Sequence, residues 1–529
     1  MHSLFTLSCI SLILGPICYR VLIRSQSLLK ALDGFIFVTI GGLVFTHIIP
    51  ELIYEEGILI ILCVAFGVLG PTLGEKIFKR HSHMTHNLTI VLGVLGLILH
   101  TLTDGSALTI TESSGNMLLA IGIIVHRFPE GLAVWWIVKP SLGTRWAVFC
   151  ICFMLLGSTV GYLTGDAFLH ALHIENNYLQ AFVTGWILHV VFHQPHATHT
   201  GKTNPKLEFQ TGLGALLGIG MLLVMFGVHH ANEGVNLSDE HQHHTHMHNT
   251  HPESELSLLD QQHLSGSHQL LNWSLKLAPW LLGLYLLTIL RQSRSLLKPA
   301  KNLYMGWFLR LLGPESIILT YMLLGTQIAL YQLAATFALA LWLGYQKVFR
   351  YTVPSISAVI KKQILWASVE RSAPWVAFSL IITNLIGHPQ GILEPPLYQA
   401  FFIACLLLPM RSCYIGTAIL SITMAWSGWS IAAIMLPLIA APIINIKQIQ
   451  KMTLLQNATA LGLVAGITTW IQYQGDLTIQ ITHAPIYIEW MSLGLLSLAF
   501  SYILLISGPR KFMKNLFCVE ILHQHKHHH

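Results

Sequence analysis

The sequence predicts an all-α fold: a polytopic transmembrane helix bundle of about 15–16 spans in two fused transporter modules. Three observations predict it. Only 10% of the 529 residues are charged and 53% are hydrophobic, against about 25% charged in soluble domains. The charges lie between long apolar runs, most of them near the 20 or so residues a helix needs to cross a bilayer. Histidine is abundant, at 30 residues, and several sit inside those runs close to a carboxylate. Such a composition excludes a soluble enzyme, a disordered chain and a nucleic-acid binder. The net charge of +6 suits loop lysine and arginine on one membrane face better than a phosphate-binding surface.

The apolar runs fall near 4–23, 33–53, 57–75, 88–110, 115–138, 145–165, 177–193 and 211–228. A polar stretch at 229–272 separates them from runs near 275–290, 303–324, 328–346, 366–387, 397–425, 428–446, 455–472 and 487–506. The expected organisation is a first module at 1–230, a His-rich disordered linker at 231–272, and a second module with an internal repeat at 273–529. The run 397–425 is long, and Pro409-Met410-Arg411-Ser412 interrupts it, which favours two half-helices. Nothing basic precedes the first run, so a cleaved signal peptide is not expected. The eight cysteines form no CxxC pair and read as packing residues.

Loop charges set the expected orientation. Lysine and arginine between short spans prefer the cytoplasm. Arg20, Arg24 and Lys30; Lys76, Lys79 and Arg80; Lys139 and Arg145; and Lys202 and Lys206 fall on one side. Glu55, Glu56, Glu112, Asp166 and Glu175 fall on the other. The N-terminus is therefore expected outside a cell membrane (the inner membrane in a bacterium).

An ionisable residue at bilayer depth costs about 2.5–3.5 kcal/mol on insertion scales, so each one needs a reason. The first module has three such places: His47-Ile-Ile-Pro50-Glu51, His100-Thr-Leu-Thr-Asp104 and His126-Arg127-Phe-Pro129-Glu130. Each sets a histidine and a carboxylate at i and i+4, on one helix face. Imidazole nitrogen and carboxylate oxygen are ligands that a borderline divalent metal prefers. His100 and His126 lie equally far along the chain from Ser113, in the short turn between their spans. In an antiparallel hairpin they meet at similar depth, with Asp104 and Glu130 about one turn to either side. His100, Asp104, His126 and Glu130 are thus the candidate metal ligands. Closing all four on one ion needs some helix distortion, for which Pro129 is a source. His47 and Glu51 are candidates for a vestibule site. Gly105 and Gly131 follow the carboxylates and would permit close helix approach.

The HTLTDG and HRFPEG segments, the HIIPE segment two spans earlier and the eight-span, N-out layout resemble the ZIP family of divalent metal transporters. The resemblance covers about residues 1–230. It implies uptake of zinc, or of iron or manganese, toward the cytosol, with a metal site between the fourth and fifth spans. By position, His100, Asp104, His126 and Glu130 match the family's primary ligands. The family often holds a second adjacent metal through the residues directly after the two histidines. Here those are Thr101 and Arg127; threonine is a poor ligand and a guanidinium cannot bind a cation. Either the protein works with one ion and Arg127 stands as a tethered counter-charge to Asp104 or Glu130, or Arg127 has disabled conduction or changed the substrate.

The segment His229–His268 carries ten histidines, including His241, His243, His244, His246 and His248, among six carboxylates. It suits loose capture of ions outside the membrane. His81, His83 and His86 form an expected exit station on a cytosolic loop. His189, His193, His196 and His199 line the end of the seventh span, and the C-terminal HQHKHHH resembles metal-binding sequence.

In the second module, Leu277-Ala278-Pro279-Trp280 recurs as Ser372-Ala373-Pro374-Trp375, and Leu312-Gly313-Pro314-Glu315-Ser316 sits comparably to Leu408–Ser412. Duplicated bundles with broken helices are a transporter design. Arg310, Glu315 and Arg411 are its candidate functional charges, while Glu370 and Arg371 read as a helix-end pair. With Pro437–Asn445, this pattern is similar to the predicted-permease family that includes organoarsenical efflux permeases. The paired cysteines of some members are absent, with only Cys413 near their place, so the substrate stays open.

The expected function is divalent-metal transport by alternating access, with carboxylate protonation aiding release and making flux depend on pH. The metal is substrate, and no cofactor is expected. The partners are the ion and the lipid bilayer, not nucleic acid; a homodimer stays open. The competing reading is a metal-sensing or buffering membrane protein with conduction disabled by Arg127. An enzyme is not expected, since no HExxH metalloprotease helix occurs.

Overall fold

The computed structural model describes residues 3–22, 24–77, 95–109 (99 excepted), 117–164, 176–192, 205–240, 266–293, 308, 311–346 (312 excepted), 362–474 (412 excepted), 482 and 484–517. Among them there is no strand, and nine helices are long and apolar enough to cross a membrane. The protein is an all-α, multi-pass membrane bundle. It divides into two compact units. One is built from Met1–Ser265 with Leu504–Arg510, the other from Gly266–Ile503 with Lys511–Ile521.

In the first unit the helices are α1 (Ser3–Leu22), α2 (Gln26–Leu43), α3 (Ile49–Glu56), α4 (Ile60–Ile77), α5 (95–109), α6 (Met117–Leu142), α7 (Thr144–Thr164), α8 (Asn176–Phe192) and α9 (Pro205–Glu240). They match the eight apolar runs, with α2 and α3 sharing the second. A five-residue π turn, Val44–Ile48, joins those two. Extra residues of this kind inside helices often mark functional places. Here the turn holds His47. Helix α6 runs without a break through Pro129, so the helix distortion expected there is not seen. Helix α9 also departs from expectation. It continues to Glu240, into the stretch the sequence reads as an unstructured linker.

Extensive interfaces among the described residues of this unit pair α2 with α9, α1 with α6 and α4 with α8. Lipid tails give no hydrophobic drive between helices, so small residues at the seams let backbones meet. Gly105 is such a seam: a Cβ there would lie 2.3 Å from the Ser158 carbonyl oxygen of α7. At Gly131 a Cβ would lie 2.1 Å from the Leu12 carbonyl oxygen of α1. The two glycines after the carboxylates therefore seat α5 and α6 against their neighbours, as their positions suggest.

Residues 504–510 complete this unit, although the sequence assigns them to the second module. They belong to a long helix that bends at Gly508, whose φ is +70°, just before Pro509. Arg510 then reaches Asp33, buried in α2. Nη2 donates to Oδ1 at 2.8 Å and Nε to Oδ2 at 3.4 Å. Nη1 donates to the carbonyls of Val191 and Phe192, at 2.9 and 2.8 Å, closing the end of α8. One guanidinium so satisfies a buried carboxylate and two helix-end carbonyls that the apolar setting would leave costly.

The second unit contains α10 (Gly266–Ser293), α11 (Pro314–Leu324), α12 (Thr326–Tyr345), α13 (Lys362–Ile386), α14 (Pro396–Leu407), α15 (Tyr414–Trp426), α16 (Ile431–Ala440), α17 (Ile446–Ile449), α18 (Leu454–Gln472) and α19 (Ile486–Lys514), the last shared with the first unit. The run 397–425 is broken, as expected: residues 408–413 separate α14 from α15. Cys413 is extended there, and the Trp375 indole donates to the Arg411 carbonyl at 3.0 Å. Helices α15 and α16 are buried almost throughout and form the centre of this unit.

Candidate metal centre

The site follows from two helix faces. On α5, His100 and Asp104 stand one turn apart; on α6, His126 and Glu130 do the same. The helices pair so that the two imidazole rings lie 6.0 Å apart, centre to centre. His126 Nε2 is 3.0 Å from Asp104 Oδ2 and 3.7 Å from Glu130 Oε1. His100 Nε2 is 3.3 Å from Glu130 Oε1 and 3.7 Å from Asp104 Oδ1. One donor atom from each of the four residues falls within 4.8 Å of all the others. A tetrahedral zinc with bonds of about 2.0–2.1 Å places its donors about 3.3 Å apart. The cluster is thus close to metal-binding size without rearrangement of the backbone.

Polar bookkeeping points the same way. Asp104, His126 and Glu130 are buried and His100 is half-buried. His100 Nδ1 and Glu130 Oε2 are enclosed without a hydrogen-bond partner, while His100 Nε2 and Glu130 Oε1 face each other at 3.3 Å. Each such group costs about 1–3 kcal/mol if nothing satisfies it. His126 is oriented from behind, since its Nδ1 donates to the Gly122 carbonyl at 3.0 Å. Its Nε2 faces Asp104 Oδ2 at 3.0 Å, a contact that either a proton on Nε2 or a cation bound by both groups satisfies. A backbone carbonyl behind a ligating imidazole is the usual orienting partner in metal sites.

Arg127 is 0% exposed. Its Nε lies 3.5 Å from Asp104 Oδ2, Nη2 donates to the Thr101 carbonyl at 3.2 Å, and Nη1 donates to Ser158 Oγ on α7. The guanidinium therefore sits beside the four ligands, against Asp104. The Thr101 hydroxyl is spent on its own helix, donating to Ile98 at 2.8 Å, so this residue serves Arg127 through its carbonyl and offers no ligand. Ser158 carried no sequence signal beyond its place among small residues of an apolar span.

A narrow cavity of about 30 Å³ adjoins the cluster. His100, Thr103 and Glu130 form one wall, and Val44, Ile48, Gln180, Thr184 and their apolar neighbours on α2, the π turn and α8 form the other. At roughly 10–15 Å³ per water, two waters fit.

The other candidates fare differently. His47 falls in the π turn and Glu51 in α3, with side chains outside the described residues. His81, His83, His86, His193, His196, His199, His241, His243, His244, His246, His248 and Arg310 also lie outside them. His189 is a packing histidine: buried, its Nδ1 donates to the Val68 carbonyl at 2.9 Å, tying α8 to α4. Glu315 is half-buried in the first turn of α11, and Arg411 is exposed in the break before α15, where its backbone N–H donates to Leu516.

No family model, curated protein or solved structure matches this chain.

Proposed function

We propose that this protein carries a divalent metal ion across the cell membrane toward the cytosol by alternating access. Zinc is the foremost substrate, with iron or manganese as further ones. The observation that carries the proposal is the gathering of His100, Asp104, His126 and Glu130 donor atoms within 4.8 Å inside two apolar helices. Paired imidazole and carboxylate donors suit a borderline divalent cation. The unpartnered atoms of His100 and Glu130 give the ion something to satisfy. The resemblance of the HTLTDG and HRFPEG segments to the ZIP family supports the same reading, and the loop-charge pattern supports an N-terminus outside.

The number of ions is one. A second divalent ion about 4 Å from the Arg127 guanidinium would be repelled by about 8 kcal/mol at an effective dielectric near 20. Arg127 instead supplies a fixed positive charge where a second ion would stand. The His-rich segment beyond α9 captures ions loosely on the outer side, and the second unit is a permease whose substrate is open.

The test is uptake of radiolabelled zinc into proteoliposomes holding the full chain. Zinc-dependent flux that Glu130→Gln abolishes supports transport. The second reading is a metal sensor, favoured by the way Arg127 ties α5, α6 and α7 together. Stoichiometric binding without flux would select it, and absence of binding would exclude both.

A further inference from the structure

His100, Thr103 and Glu130 form one wall of the cavity, and α8 places two polar side chains among the apolar residues of the opposite one. Gln180 and Thr184 lie one turn apart on α8 and face the cavity shared with His100 and Glu130. Thr184 is 3% exposed. A buried threonine in a helix commonly returns its hydroxyl to the carbonyl three or four residues back. Thr101, Thr103 and Thr159 all do so here. Among the described residues, neither the Thr184 hydroxyl nor the Gln180 amide has a protein partner. Two polar groups therefore border a space large enough for about two waters, next to a donor cluster that leaves one side of an ion uncovered.

We propose that Gln180 and Thr184 form an outer subsite that holds one or two waters on the bound ion. The inference rests on the metal reading of His100, Asp104, His126 and Glu130, and it deepens that reading. The ion in this site is five- or six-coordinate: four protein donors, plus water anchored by the α8 side chains. Its chemical class is the borderline divalent cation that accepts more than four ligands, such as Fe²⁺, Mn²⁺ or Co²⁺, alongside zinc. Gln180 and Thr184 are specificity residues, since they act on the ion through its water. Ile40, Leu43, Val44 and Ile48, which also line the cavity, are apolar.

Cobalt reports this directly, because tetrahedral Co²⁺ has intense visible bands and five- or six-coordinate Co²⁺ has weak ones. The probe is Co²⁺ titrated into the purified full chain. The native protein should give the weak spectrum. Thr184→Val with Gln180→Met, which removes both polar groups at nearly constant volume, should give the intense tetrahedral spectrum. The double variant should also lose about 10–100-fold in Mn²⁺ affinity, the scale of an outer-partner loss, while keeping its zinc affinity. Thr184→Ser retains the hydroxyl and should keep the native spectrum, which guards against a misfolded double variant. An intense spectrum from the native chain overturns the proposal, as does a double variant indistinguishable from it. Failure of the native chain to bind cobalt or zinc removes the metal site itself, a result distinct from either of these.

Discussion

Replacing Arg127 with glutamate tests the charge logic of the site most directly. The guanidinium is enclosed, with its Nε 3.5 Å from Asp104 Oδ2. An ion bound to Asp104 would sit about 4 Å from the second position. Exchanging +1 for −1 there changes the interaction with a divalent ion by about 17 kcal/mol at an effective dielectric near 20. Solvent and side-chain relaxation absorb most of it. Even a tenth of that figure exceeds the roughly 1.4 kcal/mol that makes a factor of ten in affinity. Arg127→Glu should therefore bind two ions per chain where the native protein binds one. Metal analysis after equilibrium dialysis counts them, and an anomalous-scattering map places them. Arg127→Lys, which keeps the charge, should still bind one. A folded Arg127→Glu protein that retains a single ion would refute the assignment of Arg127 as the occupant of a second metal position.

Four further outcomes are expected. Glu130→Gln should weaken zinc binding by at least about 100-fold and remove most of the metal-induced stabilisation, about 2.7 kcal/mol for the native chain at a hundredfold excess over its Kd, read as a lost rise in melting temperature; a native-like thermal shift would count against Glu130 as a ligand. Thr101→Val should leave zinc affinity within about twofold, because the hydroxyl serves Ile98 and its loss is a matter of roughly 1 kcal/mol of helix stability; isothermal titration reads this. Gly105→Leu should destabilise the first unit by about 1–3 kcal/mol or more by forcing α5 from α7, seen as a lower melting temperature and lost flux. Arg510→Ala should cost about 3–5 kcal/mol by leaving Asp33 buried and unpaired, and Asp33→Asn with Arg510→Gln should recover part of it.

Much of the site was legible in the chain. His100 and Asp104, and His126 and Glu130, share helix faces because four residues make about one turn. The two pairs converge because the connection between their helices is short and central. The charge of Arg127 announced itself as incompatible with a second cation. The break at 408–413 was legible from Pro409 and the polar run after it. Other features carried no such mark. Asp33 and Arg510 lie far apart in sequence, and each reads alone as an ordinary charge near the end of an apolar run. Gln180 and Thr184 look like minor interruptions in a span, and Thr101 looks equally polar although its hydroxyl is spent on its own helix. The helical stretch of α9 as far as Glu240 was hidden by composition, since few apolar residues there suggest a packed element.

Composition and spacing alone determined that this chain is a helical membrane protein and which four side chains could share an ion. Both depend on local rules: hydrocarbon demands internally bonded backbone, and helical periodicity sets which neighbours share a face. Only the tertiary structure decided that Arg127 leans on Asp104, that Ser158 and the Thr101 carbonyl hold it, and that α8 closes the far side of the cavity. Those outcomes depend on which helices pack together and how closely, and glycine seams and buried hydrogen bonds settle that across distances no periodic pattern encodes.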